Sequence, residues 1–269
     1  SLHASTNANT KPPDQTRRSP NITEVSMQRR PDRKCALHRA TRAHAIRWSA
    51  HRGAPYPPVM TRESPYAASH KGLRHALGRF QLQAGRTRHD DPDELAALKA
   101  SGAELSLLLE HHLLAEERYF LAPLRTRAEA AALHDIDDHA RIEPQQRALM
   151  DALARLDGSS AAAMHAFYLQ VSEFHSLYLA HILHEERVTE PTMFAHFSES
   201  EVAAFTAALA REVELPVLLA SLRVLIPALP LHEARDLLER LRAAPIFDEV
   251  TRMLSAELEP ATLQALLGR

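Results

Sequence analysis

His112 and Glu116 stand four residues apart in "EHHLLAEERYF", His181 and Glu185 do so in "YLAHILHEERVTEP", and His139 and Glu143 do so in "HDIDDHARIE", where Asp135 also precedes His139 by four. Side chains at that spacing lie within about 40° of each other on an α-helix. Each pair therefore offers an imidazole and a carboxylate on one side of a helix, and such donors hold divalent transition ions. His70 adds an imidazole in "SHKGLRHAL", with His75 about 140° away on the helical wheel and so on another face. A single His-x-x-x-Glu in a charged helix is more often a surface hydrogen bond. Three in successive segments, with a histidine in the remaining one, match the way helix-bundle cores hold paired metals. In the second segment Leu105, Leu108, Leu109, His112, Glu116 and Tyr119 share one face. Polar groups set in an apolar stripe point inward, where an unpaired charge costs on the order of several kcal/mol and a cation removes that cost.

Long helices must position these side chains, and the composition suits them. Only 7 of the 269 residues are Gly and aromatics make up 5%, while Ala, Leu, Glu and Arg are abundant, so the expected class is all-α. A first helix is expected over about 65–84, with Leu73, Leu77 and Phe80 at helical spacing. Asp91 and Pro92 begin a second that runs to about 127, with a break at Ser101-Gly102. A third spans about 128–156, and a fourth about 160–190, stopping before Pro191. Four long helices with short loops imply an up-down-up-down four-helix bundle over 64–197. Ser198 and Glu201 form a capping box for a fifth helix, and Pro216, Pro230, Pro245 and Pro260 punctuate a C-terminal extension of shorter amphipathic helices over 198–269.

Residues 1–59 hold 11 Lys+Arg against 3 Asp+Glu, leaving 21 against 31 for the rest, so a basic leader precedes an acidic body. That leader is rich in Pro, Arg and Ser without an apolar period, and disorder is expected. It has three candidate roles: a tail touching nucleic acid, an organelle transit peptide, or a stretch upstream of a true start at Met60. The last is preferred, because helical character begins there. No nucleic-acid fold accompanies the basic charge, so no specific nucleic-acid partner is expected. Cys35 is the single cysteine, which excludes an intrachain disulfide, a thiolate zinc cage and a cysteine-ligated cluster, and it suits a reducing cytoplasm. No apolar run is long enough to span a bilayer; the stretch 215–230 comes closest, interrupted by Arg223 and Pro227, and reads as a buried helix. A phosphate-cradling glycine loop, a dinucleotide fingerprint and a nucleophile with an adjacent base are all lacking, which removes nucleotide-dependent and hydrolytic chemistry.

In order and spacing, "SHKGLRHAL", "EHHLLAEERYFLAPL", "HDIDDHARIE" and "YLAHILHEERVTEP" resemble the successive helices of the hemerythrin-like, HHE cation-binding family of four-helix bundles, over about residues 64–197. The resemblance implies a non-haem site of two iron ions, bridged by two carboxylates, that binds O2 or related small ligands. It makes His70 and His112 terminal ligands with Glu116 as one bridge, and gives His139 and His181 to the second iron with Glu185 as the other bridge. The family's oxygen carriers have a histidine where this chain has Asp135, with His134 one residue out of phase. They place the last carboxylate five residues after the fourth-helix histidine, which selects Glu186, whereas wheel geometry selects Glu185 unless a π-bulge intervenes. Asp135 and Glu143 are additional candidate ligands. A site richer in carboxylates is harder, favouring ferric iron and accommodating manganese or another divalent cation, and departs from simple reversible O2 carriage. His111 and His184 are candidates for hydrogen bonding behind the ligands. Tyr119 and Tyr178 fall on inward faces, where core packing is the preferred reading and a place beside the metal pocket the alternative. The leading expectation is a cytoplasmic protein that binds, senses or scavenges O2, NO or peroxide. The alternatives are a di-iron oxidase or peroxidase, and a metal-dependent regulatory module whose C-terminal helices dock a protein partner.

Overall fold

Helices make up the regular structure of the described residues, 64–268, of this computed structural model, and no strand occurs among them. The leader expected over 1–59 lies outside those residues, as does Cys35. The chain forms α1 (Ala67–Arg86), α2 (Pro92–Glu116), α3 (Ala122–Arg127), α4 (Glu129–Arg155), α5 (Ala161–His184) and α6 (Glu190–His196). Beyond them lie α7 (Glu199–Glu212), α8 (Leu215–Leu225), α9 (Leu231–Leu241), α10 (Phe247–Glu257) and α11 (Pro260–Leu267). Asp91 caps α2 by accepting from the backbone N–H groups of Asp93 and Glu94. Ser198 and Glu201 make the reciprocal capping box of α7.

Two expectations about breaks are corrected. The second helix runs through Ser101 and Gly102 without interruption. Gly102 sits there for packing: a Cβ would collide with the Leu153 side chain and stand 3.4 Å from the Phe80 ring. Likewise the chain stays helical past Pro191, to His196, through a π-helical turn at Glu185–Thr189. A matching π turn at Glu117–Leu121 joins α2 to α3 just before Pro123. A proline lacks an N–H, and its ring presses on the carbonyl four residues back, here Tyr119 and Arg187, each inside one of the π turns. Widening the ladder over those turns relieves the clash without ending the helix.

The long helices pack in a ring of neighbours, α1 against α2 and α5, and α4 against the same two. Their apolar stripes meet in one cluster that includes Leu73, Leu77 and Phe80 of α1, Leu98 and Leu109 of α2, Ile142 and Leu149 of α4, and Phe167 and Phe174 of α5. Each fully buried leucine, such as Leu98 or Leu109, contributes about 2 kcal/mol. A second cluster gathers Tyr66, Phe120, Leu124, Ala132, Met193 and Phe197. Downstream, α8 lies on α1 and α2, and its Ala220 and Val224 join the first cluster. Gly72 permits this approach, since a Cβ there would stand 3.3 Å from Leu225 Cα. Leu222, Ile226, Leu238, Val250 and Leu254 build a third cluster among α8, α9 and α10. Lys71–Glu233 at 2.9 Å and Arg223 to Glu104 at 3.1 Å tie these helices to α1 and α2; each pair is partly exposed and worth under about 1 kcal/mol. Among the described residues no helix is long and apolar enough to cross a membrane.

Candidate metal centre

Between the first two apolar clusters lies one buried polar layer. On α1, His70 falls between Tyr66 of the second cluster and Leu73 of the first; on the chain from α2 into its π turn, His112 and Glu116 fall between Leu109 and Phe120. His139 lies between Ala132 and Ile142 on α4, and His181 and Glu185 lie between Tyr178 and Met193 at the end of α5. These six side chains form two groups that share Glu116 and Glu185: His70 and His112 complete one, His139 and His181 the other. Within each group the donor atoms lie within 4.8 Å of one another, and such a group could hold a metal ion.

The carboxylates stand between the two histidine pairs. Glu116 Oε1 is 2.9 Å from His112 Nε2 and 3.5 Å from His70 Nε2, while its Oε2 is 3.5 Å from His139 Nε2. Glu185 Oε2 lies 3.4 Å from both His70 Nε2 and His181 Nε2. Most of these approaches are not hydrogen bonds. His112 Nε2, His139 Nε2, His181 Nε2, Glu116 Oε2 and both oxygens of Glu185 are buried without a hydrogen-bond partner. Buried polar atoms are rarely left so, and here they all face one place. Ligand arms of about 2.1 Å set at right angles give donor–donor edges of about 3 Å, so the observed separations suit the edges of a coordination shell.

Electrostatics agree with that fit. Burial pushes Glu185 well above the usual carboxylate range, and the neighbouring Glu116 adds to it. Burial opposes ionisation of Glu116 as well, but the imidazoles of His112, His139 and His70 around it hold it well below its ordinary value. Burial lowers His112. His70 and His139 resist the same burial through Glu116 and a second carboxylate each, and are raised.

Those second carboxylates stand behind the rings. His70 Nδ1 donates to Glu186 Oε1 at 3.0 Å, and His139 Nδ1 donates to Glu117 Oε1 at 3.2 Å. An ionised carboxylate only accepts, so the Nδ1 atoms carry the protons and the Nε2 lone pairs face the layer. Arg74 grips Glu186 with two N–H groups at 2.6 and 2.9 Å. Burial works against ionising Glu186, yet His70 and Arg74 prevail and hold its carboxyl at about 2. Asp138, which pairs with Arg141, lies 3.7 Å from His181 Nδ1. Between the two carboxylates offered by the sequence, Glu185 faces the layer and Glu186 stands behind His70, because the π turn begins at Glu185 and leaves its α-helical phase with His181 intact. The sequence assigns no role to Glu117 or Asp138. Glu117 had a signal: "EER" follows the same interval after both His112 and His181.

Other candidates fall elsewhere. Glu143 is 47% exposed and pairs with Arg147 at 3.3 Å; on the wheel of α4 it lies about 40° to the far side of His139, just past the buried stripe. Asp135 is buried but turned away from the layer, with Oδ2 accepting from Thr189 Oγ1 at 2.5 Å and Oδ1 toward His184. His184 flanks Asp135 and stands behind no ligand candidate. Tyr119 lies half-buried beneath Arg118 on the side facing Glu212, away from the layer. Tyr178 is fully buried with its ring 5.8 Å from His181, and its counterpart on the other side of the layer is Tyr66, buried with its ring 5.2 Å from His70. Tyr66 precedes His70 by four residues, a spacing that could have found it. His111 faces a cavity of about 290 Å³, which is also lined by Tyr66, Gly72, His112, Glu116 and Leu225 and so reaches the layer from the α8 side.

Comparison with protein families, with curated proteins and with solved structures finds no match to this chain.

Proposed function

We propose that α1, α2, α4 and α5 form an up-down-up-down bundle of the hemerythrin-like kind around two non-haem iron ions, and that this cytoplasmic protein binds, senses or scavenges O2, NO or peroxide. The bundle order is supported by the sequence in which each helix meets the two apolar clusters: second then first on α1 and α4, first then second on α2 and α5. One observation carries the metal reading: four imidazoles from four helices and two shared carboxylates converge, buried, with their donor atoms unpaired. When bound, paired ferrous ions supply the electrons for O2 chemistry and a coordination position for a diatomic ligand. The chain's own residues hold and orient. Glu186 and Glu117 keep His70 and His139 in the ligating tautomer, and Arg74 fixes Glu186. Phe120, Phe174 and Tyr178 keep bulk water away, and the cavity beneath α8 offers small neutral molecules a way to His112 and Glu116.

The oxidase or peroxidase alternative drew its weight from Asp135 and Glu143, neither of which faces the layer. Four imidazoles with two carboxylates favour binding over turnover. Anaerobic reconstitution with iron, followed by metal analysis and an optical spectrum, tests the proposal. About two irons per chain are expected, falling in both His112→Ala and His181→Ala. Unchanged iron in the two variants would remove the assignment.

A further inference from the structure

We infer that His134, Asp135 and His184 form a separate site, on the flank where α4 meets α5, for one divalent transition-metal ion. One donor atom from each lies within 4.8 Å of the others, and the group shares no residue with the buried layer. Asp135 is the anchor. Its side chain is fully buried, Oδ2 accepts from Thr189 Oγ1 at 2.5 Å, and Oδ1 has no hydrogen-bond partner. That oxygen points at His184, whose Nε2 is 3.7 Å away, too far for a hydrogen bond. The His134 and His184 ring centroids lie 4.0 Å apart with the rings tilted by 41°, which brings two imidazoles to the side of one carboxylate. His134 also lies 3.8 Å from Asp138 Oδ2, a separation without hydrogen-bond contact that leaves its ring able to turn to an ion.

The donor set fixes the class of ion. Two neutral nitrogens and one carboxylate oxygen suit borderline divalent ions such as Zn²⁺, Co²⁺ or Fe²⁺ and are poor for Ca²⁺ or Mg²⁺, which require mainly oxygen. His134 is exposed and His184 partly so, so water completes the shell and exchange with solvent is open. An ion here ties α4 to the end of α5, and through Asp135 and Thr189 to the π turn that begins at Glu185.

Co²⁺ is the probe, because its visible absorption reports its ligands. The full chain is titrated with Co²⁺ before and after its buried layer is loaded with iron, and bound metal is counted. His134→Ala, at a solvent-exposed position, is expected to bind one Co²⁺ fewer than the wild type in both states, with iron content unchanged, and Asp135→Asn should do the same while keeping an acceptor for Thr189. That difference of one ion holds whatever number the buried layer takes, so it stands or falls separately from the di-iron proposal. Equal Co²⁺ stoichiometry and affinity in wild type and His134→Ala overturns the site.

Discussion

Glu185→Gln separates two consequences of one carboxylate. In the metal-free chain Glu116 and Glu185 are 1% and 0% exposed, and their donor oxygens lie within 4.8 Å of each other. At an effective dielectric of about 20, two charges that close repel by at least about 3 kcal/mol. The fold escapes this by keeping a proton on Glu185, whose carboxyl burial and Glu116 raise well above its ordinary value. At pH 7 that neutralisation itself costs roughly 3 kcal/mol for a group ordinarily near 4.5. Gln carries no charge, and its amide N–H can reach the unpaired Glu116 Oε2. Allowing about 1 kcal/mol for imperfect amide pairing leaves the variant about 2 kcal/mol more stable, or roughly 4–8 °C in Tm for a chain of this size. The folded carboxyl binds its proton more tightly than the unfolded one, so wild-type stability without metal falls as pH rises past about 4.5, and the variant lacks that slope. Thermal unfolding by circular dichroism, in chelator at pH 5 and pH 7, should show the gap opening with pH. Anaerobic Fe²⁺ should then reverse the order, raising wild type more than the variant. A variant that melts below wild type in chelator at pH 7, or that gains as much from iron, would refute the reasoning.

Three more outcomes are expected. Glu186→Gln and Glu117→Gln should each weaken ion binding by about 10–100-fold in chelator competition, while Glu143→Gln leaves it unchanged. Gly102→Ala should destabilise by about 1–3 kcal/mol in chemical denaturation, since Leu153 and Phe80 occupy the space of the added methyl. The Arg127 guanidinium, 2.7 Å from Glu201, together with the Ser198 cap holds the Glu201 carboxyl at about 2, so its stabilisation is present above about pH 4.5 and lost as pH falls toward 2. Glu201→Gln should therefore be less stable than wild type at neutral pH, with the two curves converging in acid and iron content unaltered.

Much of the layer was legible because helical geometry is local. The i, i+4 spacing of His112 with Glu116 and of His181 with Glu185 fixes each pair on one face, and the Leu105–Leu109 stripe says which way that face turns. The caps at Asp91 and Ser198 were equally local. Glu143 was misjudged because spacing from His139 gives proximity along a helix but not the edge of the buried stripe, which the packing of α4 on α2 and α5 decides. The fate of Asp135 depends on Thr189, 54 residues away, and no spacing rule reaches that far. The helical course past Pro191 is not legible in the sequence, because proline ordinarily stops a helix and here a π turn absorbs it. The crosswise supports, Glu117 behind His139 and Glu186 behind His70, join residues 22 and 116 positions apart and exist only once the helices have assembled.

A side chain at Gly72 would crowd the Leu225 Cα, which lies 3.3 Å from where its Cβ would stand, and this close approach sets α8 down as a roof over the cavity beside His112. The doorway to the polar layer is thus built partly from a segment that donates none of its six converging side chains. If the proposed function holds, substitutions at Val224 or Leu225 would widen or narrow the entrance while the donors stay untouched, and the rate of arrival and the strength of holding would be set by different parts of the chain.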